Sequence, residues 1–107
     1  MAGESNLESR LSTYAENRGV YVRKFTSHNA GVPDRIFTRE LTLFLEIKDL
    51  GKKPSALQQD EISVICGVGG YASWVDNYQD GFQIIDTITN NRGDWLRREC
   101  KRLNYWI

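Results

Sequence analysis

The sequence predicts a single α/β domain with mixed strands and helices around one core. Three observations lead there. The chain has 107 residues, the size of one domain. Hydrophobic residues make up 40% and charged residues 26% of it, an ordinary globular balance. Apolar periodicity switches repeatedly between helical and strand spacing, giving the order α-β-β-β-α-β-α-α.

Leu7, Leu11, Tyr14 and Ala15 recur at helical spacing, so a first helix is expected from about Ser5 to Asn17. Ser5 and Glu8 have capping-box spacing, and Gly19 suits the far end. Val20–Phe25 reads as a strand, Ser27–Pro33 as a loop, Asp34–Thr38 as a second strand and Thr42–Lys48 as a third. Leu43, Leu45 and Ile47 share one face of that third strand. Asp49–Pro54 is a basic loop. Ser55, with Gln58 three residues on, opens a second helix to about Cys66, and Gly67–Gly70 closes it. Tyr71–Val75 is a fourth strand, Asp80–Thr89 a short helix with Phe82, Ile85 and Ile88 spaced for burial, and Asp94–Leu103 a last helix with Leu96, Cys100 and Leu103 as its apolar stripe. No repeat or second domain interrupts this: residues 1–107 form one unit, with a core over about 5–89 and a basic helical extension over about 93–107.

Several classes are set aside. No run approaches the roughly 20 apolar residues of a membrane span. The polar start, Met1–Asn6, has no secretory pattern, so a cytoplasmic setting is expected. Cys66 and Cys100 stand apart without metal-ligand spacing and His28 is the one histidine, so reduced core thiols are expected and a zinc site is not.

The net charge is zero, but it is unevenly spread. Residues 18–53 carry eight bases (Arg18, Arg23, Lys24, Arg35, Arg39, Lys48, Lys52, Lys53) against four acids. Residues 54–91 carry five acids and no base, and residues 92–107 five bases against two acids. A polyanion needs a local basic surface rather than a basic average, though solvated faces give the same pattern.

A loop of Arg39-Glu40-Leu41 between the second and third strands would pair Thr38 with Thr42 and Ile36 with Phe44. Asp34 then lies opposite Glu46, with Cβ atoms about 5 Å apart on one face. Lys48, two residues on, points the same way. Two carboxylates at that distance repel unless a cation lies between them, and hard oxygen donors suit Mg²⁺ or Mn²⁺. Such an ion binds phosphate and acidifies water, and Lys48 would stabilise charge on the phosphate. The same spacing also fits a surface ion triad on an edge hairpin.

Gly31-Val-Pro-Asp34, Leu45-Glu-Ile-Lys48 and Gly51-Lys-Lys-Pro-Ser-Ala-Leu-Gln58, preceded by Glu8 on the first helix, resemble the virus-type replication-repair nuclease (VRR-NUC) family of the PD-(D/E)XK superfamily. The resemblance spans about Leu7–Asp86 and is nearest to stand-alone phage and bacterial members. It implies a restriction-endonuclease-like core: a mixed four-stranded sheet flanked by helices, αβββαβ, followed by C-terminal helices. It implies a DNA endonuclease selective for branched or four-way-junction DNA and working as a homodimer. Asp34 and Glu46 would be metal ligands together with the Ile47 carbonyl. Lys48 would be the catalytic lysine, Glu8 a further acid reaching the metal directly or through water, and Gln58 a residue that sets the site. Glu8 and Gln58 also fit simple capping roles. Lys24 matches a basic position of the family, and His28 is read as a loop histidine near DNA. Lys52 and Lys53 are placed to grip phosphates. Arg98, Lys101 and Arg102 share a helical face that, with Arg92 and Tyr105-Trp106, is either a DNA arm or a packing and dimer element. A non-catalytic DNA-binding module and a phage regulatory interaction protein on the same fold remain open.

Overall fold

The computed structural model describes residues 3–90, 93–103 and 105, with side chains for 6–90, 94–103 and 105. The side chain of Ser5 and residues Arg92 and Trp106 lie outside the described set. The elements are α1 (Gly3–Glu16), β1 (Tyr21–Lys24), β2 (Arg35–Thr38), β3 (Thr42–Ile47), α2 (Ala56–Gly67), β4 (Tyr71–Val75), α3 (Tyr78–Thr89) and α4 (Gly93–Arg102). They follow the expected order.

The four strands form one sheet in the order β1-β2-β3-β4. β1, β2 and β3 are antiparallel neighbours, and β3 and β4 are parallel. A parallel pair needs a crossover, which α2 supplies. Leu43, Leu45 and Ile47 are buried, as their alternation requires. α1 packs against β1, β3 and α3, while α2 packs against β4. Glu46 is bonded to a side chain of α2. The sheet therefore has an α1/α3 face centred on Phe37, Leu43 and Leu45, and an α2 face that carries Glu46. α1 and α3 approach closely at Gly81, where an added Cβ would lie 2.5 Å from Leu11.

Local chemistry sets the boundaries. Ser55 caps α2 with both halves of the capping box formed. α3 begins at Tyr78 rather than Asp80, because Asn77 takes the cap position and accepts from the Asp80 N–H at 2.9 Å. Burial in α3 falls on Ile84, Ile85 and Ile88, while Phe82 is partly exposed and stacks on Tyr14. α1 begins at Gly3, so Ser5 lies inside it and the Ser5/Glu8 spacing is not an end cap. Glu8 turns instead toward Arg35.

Both cysteines are free thiols. Cys100 is fully buried and Cys66 partly so. Burial pushes the Cys100 thiol up to about 12 and raises that of Cys66, so neither is a thiolate at neutral pH.

Candidate active site

The loop Arg39–Leu41 leaves Thr38 paired with Thr42, Ile36 with Phe44 and Arg35 with Leu45, the register expected from the sequence. One step further puts Asp34 opposite Glu46. Both Asp34 and Lys48 sit just beyond the ladder rather than inside it, since β2 starts at Arg35 and β3 ends at Ile47. Pro33 explains the first of these ends, because it has no N–H to extend the pairing.

Glu46 is 8% exposed. Gln58 Nε2 donates to its Oε2 at 3.1 Å, and Lys48 Nζ stands 3.9 Å from the same oxygen. Gln58 also accepts from the Ser55 N–H at 2.8 Å through its Oε1. One side chain thus serves both the helix cap and the acid. The partly exposed Asp34 carboxylate has no hydrogen-bond or ion-pair partner among the described residues. Its backbone carbonyl accepts from Phe25 N–H at 2.8 Å, which fixes its position beside β1.

The peptide between Ile47 and Lys48 adds a third oxygen. Lys48 N–H donates to Val75 O at 2.9 Å, toward β4. In a trans peptide the preceding carbonyl points the opposite way, so Ile47 C=O faces β2. The register brings it to Pro33, which has no N–H to offer. Two carboxylates and a carbonyl with no ladder donor are therefore within one corner of the sheet. No group of three or more Asp, Glu, His or Cys residues suited to a metal occurs among the described residues. Mg²⁺ does not require one, since it is commonly held by one or two carboxylates and keeps several waters. The donors present fit such an ion.

Gly31 aims Asp34. Its φ is +87°, and an added Cβ would meet Leu57 Cγ at 2.8 Å and Leu57 O at 2.9 Å. Gly31→Ala is expected to cost about 1–3 kcal/mol in thermal or denaturant unfolding.

The other expected site residues are placed less centrally. Glu8 accepts from Arg35 Nη2 at 2.9 Å. Lys24 lines a hollow of about 330 Å³ that also reaches Asp34, and His28 is exposed in the neighbouring loop. Lys52 and Lys53 are exposed. On α4, Arg102 pairs with Glu99 at 2.6 Å and bonds Gln83 at 2.6 Å, and Arg98 is 3.9 Å from Asp94. Lys101 is exposed. α4 packs against α3, so this basic face is not gathered around Glu46 and is partly neutralised by its own acids.

One cluster was not foreseen from the sequence. Tyr105 is buried, and its hydroxyl lies 2.9 Å from Asp76 Oδ1 and 2.6 Å from Asp80 Oδ2, while Asn77 Nδ2 donates to it at 3.0 Å. Asp76 Oδ2 in turn accepts from the Gly51 N–H at 3.0 Å. The C-terminal segment thereby pins the loop that carries Lys52 and Lys53. Burial pushes the Asp76 carboxyl up, but the bonds from Gly51, Asn77 and Tyr105 outweigh it and hold the group below the usual carboxylate range. Burial, then Asp80 and Asp76, push the Tyr105 hydroxyl well above its ordinary value. The Asp76 contribution to stability is present above its unfolded pKa of about 4 and is lost as acid protonates the folded carboxyl; the Tyr105 contribution is present below about 10 and is lost as alkali ionises the folded hydroxyl. Tyr105→Phe is expected to lower stability by about 1–3 kcal/mol and to flatten the alkaline fall in melting temperature measured across pH.

No family model and no curated protein matches the sequence. Among solved structures, one described as "VRR_NUC domain" aligns with a TM-score of 0.71 at 24% identity, over 78% of this chain and 94% of that one. The mixed four-stranded sheet flanked by helices thus has the fold of a VRR-NUC domain.

Proposed function

We propose that the chain is a Mg²⁺- or Mn²⁺-dependent endonuclease that hydrolyses phosphodiester bonds in DNA. The observation that carries this reading is the convergence of Glu46, Gln58 and Lys48 beside Asp34 and the undonated Ile47 carbonyl. The bound ion would polarise the phosphate and lower the pKa of a water. Asp34, Glu46 and Ile47 C=O would hold it. Gln58 keeps the Glu46 carboxylate turned toward the site. Lys48 sets a fixed positive charge where negative charge builds on the phosphate. Glu8, held by Arg35, would act through water. Lys24, His28, Lys52 and Lys53 would meet flanking phosphates, and Arg98, Lys101 and Arg102 more distant ones. Selectivity for branched or four-way-junction DNA and action as a homodimer belong to the same proposal and rest on the VRR-NUC likeness.

That two carboxylates, and no third among the described residues, are placed at this corner favours one competitor, a DNA-binding module that does not cut. The separating experiment incubates the chain with linear, flap and four-way-junction DNA in Mg²⁺, Mn²⁺ or EDTA. Metal-dependent cleavage, strongest on branched DNA, is the expected result. Metal-independent binding without cleavage would establish the competitor.

A further inference from the structure

A second cleft opens where β3 and β4 end. It has a volume of about 220 Å³ and is walled by Asn6 and Arg10 of α1, Lys48 and Leu50 after β3, and Asp76 and Tyr78 at the start of α3. We propose that this cleft binds an unpaired nucleobase, that of a nucleotide flanking the phosphate at Lys48. This rests on the nucleic-acid reading above and adds to it a requirement for unstacked DNA.

Four features carry the inference. Leu50 is 78% exposed, a large apolar side chain beside charged neighbours. Its loop is not loose, because the adjoining Gly51 N–H is tied to Asp76 at 3.0 Å. The Tyr78 ring is partly exposed and lies under the Arg10 guanidinium, 3.6 Å from the ring centroid. Aromatic rings and guanidinium planes are the two surfaces on which proteins stack bases. The third feature is charge. Arg10 and Lys48 are opposed by an ionised Asp76, so a phosphate inside the cleft would face a carboxylate. A neutral planar ring with N–H donors meets instead an acceptor in Asp76 and an amide in Asn6. The fourth is continuity: Lys48 borders both this cleft and Glu46. A base inside a continuous duplex reaches such a cleft only by leaving its stack, whereas one at a branch, flap or single strand is already free.

The test is a binding experiment in EDTA. Single-stranded oligonucleotides carry 2-aminopurine, walked position by position, and its fluorescence reports stacking. Quenching by the wild type at one position, and much weaker quenching in a duplex, is expected. Leu50→Ser and Tyr78→Ala should each abolish that quenching and weaken binding roughly tenfold. Leu50 is exposed, so its variant is not open to the objection of unfolding. Lys52→Ala should weaken binding yet keep the quenching at saturation. Saturating binding without quenching at any position, or variants that quench like wild type, would overturn the proposal, as would no binding at all. Cleavage in Mg²⁺ is assayed in parallel. Cutting without quenching discards the cleft and keeps the nuclease; quenching without cutting of any DNA does the reverse.

Discussion

Lys48→Ala is expected to lower Mg²⁺-supported DNA cleavage by on the order of a thousandfold while leaving DNA affinity within a few-fold of wild type. In the proposed mechanism the lysine would contribute a charge positioned against the transition state, and the ground-state complex would retain Lys24, Lys52 and Lys53 for its phosphates. Its Nζ also stands 3.9 Å from Glu46, so its removal alters the local charge without vacating a core position. Asp34→Ala should lose at least as much cleavage, and by a different route: Mn²⁺ binding measured calorimetrically without DNA should weaken in Asp34→Ala and persist in Lys48→Ala. Equal metal affinity in all three proteins would remove Asp34 from the metal site. Cleavage by both variants at the wild-type rate would remove the whole assignment.

Phe37→Ala is expected to be the most damaging single change to the fold, at about 3–5 kcal/mol. Phe37 is fully buried, with Val22 and Leu43 as its neighbours across the sheet. Truncating it leaves a hole where strands on both sides are held by hydrogen bonds and close in poorly. Domains of this size have roughly 5–15 kcal/mol in total. The melting temperature should fall by about 12 °C or more. Leu57→Ala, at a half-exposed position on α2, should change it little. A comparable loss in both variants would mean that the core does not centre on Phe37.

What the sequence revealed of this site, and what it hid, divides along distance. The β2–β3 register, which one step beyond its last pair sets Asp34 across from Glu46, was legible on the condition that the loop is Arg39–Leu41, as it is; a two-residue loop would have turned Glu46 to the other face. The double role of Gln58 was legible because a cap position and a strand end are joined by one short loop. Glu8 was read through local capping and the family pattern, and neither carries the information that Arg35, far along the chain, faces α1. Tyr105 with Asp76 and Asp80 was invisible for the same reason: their meeting depends on how α4 returns across the edge of the sheet. The start of α1 was misplaced because Ser5 with Glu8 satisfies a capping rule that a helix begun at Gly3 has no need of.

The Tyr105 clamp bears on how the molecule is made. Asp34, Glu46, Lys48 and Gln58 all leave the ribosome well before Tyr105 does, and Asp76 and Asp80 also precede it. The basic loop is tied directly by Asp76, which holds the Gly51 N–H, so it can be fastened before Tyr105 emerges; what Tyr105 adds on arrival is a hydroxyl that braces Asp76 and Asp80 together. A polypeptide cut just before Tyr105 would keep every candidate catalytic group and the Asp76–Gly51 tie, and would lose the hydroxyl that steadies that tie from behind.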